Sequence, residues 1–415
     1  MDSKTTHHRI SMKKMILSML MLCTYGQLTA QDYWFQRDTI NGSPKSAMCA
    51  VSFSQVGLII GGLDEFGFKR KMYSYSPFQN DWDEEVSLGG DSGDGLERAS
   101  ACAFALTHEN IQKAYVCLGQ TQTVAYMKDL WEFNPQTETW SQKANFTGSA
   151  RRQAVCFTAN NQAFVGTGED AAGLKKDMYK YDPVMNAWTQ VADFAGTARR
   201  DAVAFELNGM GFIATGDDGV LKNDLWMYDF QSDSWIDKAP FPGTPRSGAV
   251  AWGADHVAYI GMGEDLLGDF KNDLYEYNYY LNSWIQRASL PAQGRKNAFA
   301  FYIDGISYVG GGYNGVFLED FWAYTGTAGI MEKNKVEIGL FPNPVQNELK
   351  VKSEQILHHV RVCAMDGNQL MEQMIESNEC TIDVSHWRSG VYVFSCEMNG
   401  EMTQKTFVKC DCALT

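Results

Sequence analysis

Four phrases in the middle of the chain decide the fold: Asp129-Leu130-Trp131-Glu132-Phe133, Asp177-Met178-Tyr179-Lys180-Tyr181, Asp224-Leu225-Trp226-Met227-Tyr228 and Asp273-Leu274-Tyr275-Glu276-Tyr277. Eleven residues after each opening Asp stands a tryptophan, at Trp140, Trp188, Trp235 and Trp284; Lys71 and Trp82 give a less regular copy. Upstream of the phrases a Gly pair or Gly-x-Gly recurs, at Gly61-Gly62, Gly166/Gly168, Gly261/Gly263 and Gly310-Gly311-Gly312. Before that lies an apolar run headed by arginine. Arg98, Arg151, Arg199, Arg246 and Arg295 each precede an aromatic residue by six positions (Phe104, Phe157, Phe205, Trp252 and Phe301). Each unit thus holds four short β-type runs separated by Gly, Asn and Asp, with no helical periodicity. The first run is apolar on both faces, as in Ala154-Val155-Cys156-Phe157, which suits a strand buried on both sides. The second ends at glycine, where close packing or positive φ excludes a β-carbon.

A unit of about 50 residues with four strands is the sequence signature of a propeller blade. The last copy shows how the ring closes. Arg295, Phe301, Gly311-Gly312 and Asp320-Phe321-Trp322 supply three strands, but Met331 stands where tryptophan is due. Tyr33-Trp34-Phe35-Gln36, at the other end of the chain, supplies the fourth, and its donation removes the open edges that invite aggregation. In the first blade, Ala47 and Lys71 are read as replacing the usual Arg and Asp. Over about residues 33–325 these linked copies resemble the kelch-repeat family. The resemblance implies an all-β fold: a six-bladed kelch-type β-propeller closed by an N-terminal strand.

Both ends of the chain point to export. Met12-Lys13-Lys14, the apolar stretch Met15 to Cys23 and Gln27-Leu28-Thr29-Ala30 read as a secretory signal peptide, with Met12 as an alternative start. After Thr325-Gly326-Thr327-Ala328-Gly329 the repeat stops. Strand-like runs at 349–351, 360–362, 381–384, 390–394 and 406–409 predict a small C-terminal antiparallel β-sandwich. Phe341-Pro342-Asn343-Pro344, the Asp366-Gly367 turn, Ile382-Asp383-Val384, Ser389-Gly390-Val391-Tyr392 and the Lys405 to Lys409 ending resemble the type IX secretion system C-terminal sorting domain. That resemblance implies the type IX machinery as a partner and a secreted or outer-membrane-surface location reached through the periplasm. An accessory sandwich that binds some other ligand is the alternative. The expected organisation is signal peptide 1–30, propeller 31–325, linker 326–339, sorting domain 340–409 and tail 410–415.

Composition narrows the chemistry. The formal net charge is −15 and no basic block occurs, which argues against nucleic acid as a partner. No apolar run after the N-terminus is long enough for a transmembrane anchor in the mature chain. Cys49, Cys102 and Cys156 fall in inner-strand runs, where a small buried hydrophobe suffices. His108 and His256 are the only propeller histidines, too few for the copper site of a galactose oxidase-type enzyme; no metal, no cofactor and no catalytic residue is assigned. One constellation remains. Acidic pairs follow the second-strand glycine: Glu169-Asp170, Asp217-Asp218 and Glu264-Asp265. In a meander the second strand ends on the face where the first begins. The candidate ligand ring is therefore Arg98, Arg151, Arg199, Arg246, Arg295, Glu169, Asp217 and Glu264, suited to an anionic or polyhydroxylated sugar. The competing reading is that each arginine pairs with a nearby acid and locks the fold, with Glu169, Asp217 and Glu264 as the exceptions. The expected function is a secreted or surface-displayed binding module with a protein or glycan ligand at the loop face. The alternatives are a sugar-active enzyme resembling kelch sialic-acid mutarotases and a structural surface-layer component.

Overall fold

The computed structural model describes residues 32–53, 55–92, 96–326, 339–343, 345–364, 369–398 and 401–410. The export signal, most of the linker, the Asp366-Gly367 turn and the chain end after Cys410 lie outside the described residues. The chain divides into two compact units, the first ending at Thr327 and the second beginning at Ala328.

The first unit contains six four-stranded antiparallel sheets. Blade one is Cys49–Phe53, Val56–Ile60, Met72–Ser76 and Asp81–Glu85, each strand pairing with the next. Blades two to five repeat this plan from Cys102, Val155, Val203 and Val250. Blade six joins Phe299–Ile303, Ile306–Gly310 and Phe321–Thr325 to Tyr33–Gln36. The N-terminal strand thus closes the ring, in the register Trp34↔Tyr324.

The repeated aromatics explain why these segments pair as they do. In every blade the outer-strand tryptophan faces an aromatic of the third strand directly across the ladder: Tyr75–Trp82, Phe133–Trp140, Tyr181–Trp188, Tyr228–Trp235, Tyr277–Trp284 and Trp34–Tyr324. Their ring centroids lie 4.8 to 5.2 Å apart, within the range where cross-strand aromatic pairs stabilise a sheet. A second pair couples the inner two strands. Phe104 stacks on Tyr115, Phe157 on Phe164 and Phe205 on Phe212, while blade one has Val51 opposite Leu58 instead.

The tryptophans also join neighbouring blades. Each indole N–H donates to a carbonyl just beyond the outer strand of the preceding blade: Trp140 to Val86, Trp188 to Ala144, Trp235 to Ala192 and Trp284 to Ala239. Trp34 reaches Ala288 and Trp82 reaches Asp38, so the closing seam uses the same bond as the others. Asp32 completes the imitation. It accepts from the Tyr324 hydroxyl and the Ala288 N–H, as Asn282 accepts from Tyr277 and the Ala239 N–H.

The second unit is one antiparallel sheet built from Gly339–Phe341, Glu348–Ala364, Gln369–Asp383, Gly390–Met398 and Glu401–Lys409. The runs expected at 349–351 and 360–362 are one continuous strand, not two. Register breaks between Lys352 and Leu357 take the place of a turn, and such bulges bend a strand without ending it. Both ends of this long strand share one core, through Leu349, Val351, Val360, Val362, Phe394 and Phe407.

Trp34→Ala removes a cross-strand ring and the seam hydrogen bond while leaving the repeats intact. It is expected to lower unfolding free energy by about 2–4 kcal/mol, read by urea denaturation. Unchanged stability would contradict closure by this strand.

Candidate functional site

The site lies where first strands begin and second strands end. Its scaffold is the set of repeated arginines. Arg98, Arg151, Arg199, Arg246 and Arg295 are at most 1% exposed. Each forks onto the aspartate that opens the third strand of its own blade: Asp129, Asp177, Asp224, Asp273 and Asp320. In Arg151 every N–H is used. Nη1 donates to Asp177 Oδ1 at 2.6 Å and to the Thr167 carbonyl at 3.1 Å. Nη2 donates to Asp177 Oδ2 at 2.8 Å and Ser149 Oγ at 3.0 Å, and Nε to the Ser149 carbonyl. Thr197 and Thr244 do for Arg199 and Arg246 what Ser149 does for Arg151. Phe146, Phe194 and Phe241 lie 4.8 to 5.1 Å beneath the guanidiniums of Arg151, Arg199 and Arg246. Burial works to raise the carboxyls of Asp177, Asp224 and Asp320, but hydrogen bonds and charge from their arginines outweigh it and hold them below the ordinary range.

The five arginines therefore do not line the opening as the ring of sequence candidates supposed. Their planar fork is used inside the blade, and the acids they choose are not the expected pairs. Glu169 and Asp217 bond instead to the residue after each arginine. Arg152 reaches Glu169 at 3.3 Å and Gln120 of the preceding blade. Arg200 reaches Glu169 at 2.9 Å and Asp217 at 3.3 Å. Lys296 pairs with Glu264 across the seam between blades five and six. The chain of charges breaks in blade five, where Ser247 holds the equivalent position. Desolvation opposes ionisation of Glu169, yet its bonds to Arg200 and Arg152 hold the carboxyl below its usual value.

Closer to the axis lies a ring that the sequence reading missed. Ala47, Ser100, Gln153, Asp201, Gly248 and Asn297 all adopt the left-handed region, with φ between 50° and 59°. Each donates its N–H to the carbonyl of the one before, and Ala47 donates to Asn297, closing a six-membered circle of 2.8 to 3.3 Å bonds. Within it Gln153 Nε2 donates to Asp201 Oδ2 at 2.6 Å. Burial by the surrounding walls pushes the Asp201 carboxyl up to about 6, against the pull of Arg200 and Gln153.

This circle corrects the reading of blade one. Ala47 belongs to the axial ring, and Lys45 holds the arginine position. The Lys45 carbonyl accepts from Gly312 N–H as the Arg98 carbonyl accepts from Gly62 N–H. Lys71 does occupy the aspartate position, so no fork forms; Lys45 lies over the Tyr73 ring instead. Burial lowers its ammonium to about 8 against the attraction of Asp64.

The inner-strand cysteines Cys49 and Cys102 are buried and poorly nucleophilic. Burial raises Cys49 to about 12, and Cys102 stands well above its ordinary value through its hydrogen bond with Cys117 and then burial. Among the described residues, no cluster of His, Cys, Asp and Glu has the arrangement of a metal site.

Residues 46–245 match the family model described as the KLHDC2/KLHL20/DRC7 Kelch-repeats domain, and residues 339–409 match the Secretion system C-terminal sorting domain. The chain is a kelch-repeat propeller followed by a type IX sorting domain. The kelch propeller is accordingly exported, to the medium or to the outer-membrane surface, and the sorting domain implies interaction with the secretion machinery. A solved structure titled "Structure of YjhT" shares its fold, with 15% identity over 69% of this chain and 96% of that one and a TM-score of 0.58. No curated protein matches the chain. Among the described residues, no helix is long and apolar enough to cross a membrane.

Two substitutions separate the scaffold of the kelch blades from their mouth. Arg199→Ala leaves a carboxylate without its buried partner and is expected to cost about 3–5 kcal/mol. Arg200→Ala, one residue on and over a third exposed, is expected to cost under about 1 kcal/mol. Equal losses on chemical denaturation would contradict the assignment.

Asp201 gives a pH signature. Because its folded-state pKa lies above the ordinary carboxyl value, it adds stability at low pH that is lost as pH rises through about 6. Asp201→Asn is therefore expected to gain stability relative to the native chain between about pH 4 and pH 7. A constant difference across that window would show that Asp201 titrates normally.

Proposed function

We propose that the propeller is a recognition module that binds a protein or glycan partner through the face bearing the loops between second and third strands. The observation that carries this reading is the composition of the loop tips. Phe66, Val124, Val220, Leu266, Leu267 and Val316 are exposed at the tips in five of the six blades, encircling the charged mouth. Phe66 is 77% exposed and both leucines are 84% exposed. Single exposed apolar residues are ordinary, but a set of them around one polar opening marks an interaction surface. On the opposite face, among the described residues, exposed apolar turns occur only in blades one, three and five, at Phe78, Val184-Met185 and Tyr280-Leu281.

A sugar-active enzyme is the second reading, favoured by one observation. Asp201 and Glu169 flank Arg200 with shifts of opposite sign, and two carboxyls driven apart in one funnel are what acid–base chemistry requires.

The test compares full-length mature protein with the triple variant Phe66→Ser, Leu266→Ser, Leu267→Ser on glycan arrays and on outer-membrane surfaces. At least a tenfold loss of binding is expected, with none for Phe78→Ser, Val184→Ser, Met185→Ser on the opposite face. The reverse pattern would place recognition elsewhere.

A further inference from the structure

We propose that the axial mouth of the propeller binds a protonated primary amine, such as that of an amino sugar, through Asp201, Gln153 and Asn297. The proposal rests on the reading that this face recognises a ligand, and it names the chemistry that the innermost ring selects.

The basic side chains beside the ring are already engaged. Arg152 and Arg200 are bonded to Glu169 and Asp217, and Lys296 to Glu264. The five deeper arginines are buried in their blades. Within the axial ring the buried side-chain atom left without a partner is an oxygen acceptor; just outside it, Arg152 Nε is a buried donor that also lacks one. A carboxylate only accepts, so the 2.6 Å contact to Asp201 must come from the Gln153 amide nitrogen, and this fixes the orientation of that amide. Its Oε1 is consequently left buried with no hydrogen-bond partner among the described residues. An orphaned buried acceptor is costly, and a donor supplied by a ligand removes the cost. Asp201 commits only one of its oxygens to Gln153. Asn297 approaches from the other side of Gly248, where a Cβ would stand only 2.7 Å from Asn297 Oδ1. Gly248 therefore leaves room for the Asn297 side chain beside it.

An ammonium carries three donors and no acceptor, and a carboxylate with two amide oxygens is its complement. A carboxylate-bearing ligand would meet the Asp201 carboxylate at the axis, and the forks of Arg152 and Arg200 are held by Glu169 and Asp217, so the ring disfavours anions. Arg200 and Lys296 face Asp201 and favour its ionised form, while Asp217 opposes them. Near pH 7 the carboxylate is charged; below its raised titration point of about 6 the attraction for an amine weakens.

The test is calorimetric titration of the full mature protein with glucosamine, N-acetylglucosamine, glucose and glucuronate. Glucosamine is expected to bind at least tenfold more tightly than the other three at pH 7, and more weakly at pH 5. Asp201→Asn and Gln153→Met are each expected to abolish that preference, with cooperative melting, at or above the native temperature for Asp201→Asn, showing that both variants fold. Equal affinity for the free and acetylated amine, a preference for glucuronate, or an unchanged preference in Asp201→Asn would overturn the proposal. If no sugar binds while the loop-tip variant still loses surface binding, the amine assignment fails and the recognition reading stands. If both fail, neither survives.

Discussion

The fork between a buried arginine and the aspartate that opens the third strand is the interaction on which the rest of the propeller depends. It ties the chain entering a blade to its middle and fills what would otherwise be an expensive set of unsatisfied groups. Arg151 satisfies the Thr167 and Ser149 carbonyls, at a turn where Thr167 is held at φ 55° and Gly168 at φ 86°. A Cβ at Gly168 would meet the Arg152 carbonyl at 2.6 Å, so the turn accepts only glycine there. Buried charges are retained when they are paired and hydrogen-bonded, and in all five blades each guanidinium nitrogen has a partner, with an added hydroxyl acceptor for Arg151, Arg199 and Arg246.

Blade one lacks the fork and is held by other means. With lysine at both positions, the closing seam relies on backbone bonds: Lys45 N–H to the Leu318 carbonyl, Ile40 N–H to Glu319, and Arg37 N–H to Phe321. The Arg37 side chain also donates to the Tyr75 hydroxyl and the Pro77 carbonyl. The first blade can do without the internal clamp because the N-terminal segment is fastened to both sides of the seam.

The period, the strand content and the closing strand were all legible in the sequence, because they are carried by residues that recur in every blade. Trp34 was identifiable because it completes a series of six. The mouth was not legible, for the same physical reason. Recurrence marks what each blade needs in order to fold, and the arginines recur because they are structural. The residues that face the opening change from blade to blade: Ser46, Ala99, Arg152, Arg200, Ser247 and Lys296 in one circle, and Ala47, Ser100, Gln153, Asp201, Gly248 and Asn297 in the next. Their signal is variation at a fixed offset from an arginine that recurs in five blades, which a search for repeated motifs passes over. The offset also misled the reading of blade one, where Ala47 was matched to arginine although Lys45 holds that place. In the C-terminal unit the runs at 349–351 and 360–362 were read as separate, while the chain passes from one to the other within a single strand, with register breaks between Lys352 and Leu357.

The central claim is that the arginine–aspartate fork is an internal clamp and not a ligand site. A double-mutant cycle on Arg199 and Asp224 tests it most directly, using Arg199→Met, Asp224→Leu and the pair together. A clamp predicts a coupling energy of about 2–3 kcal/mol and a double variant more stable than either single one, since neither charge is then left buried alone. Additive losses, or single variants as stable as the native chain, would contradict it.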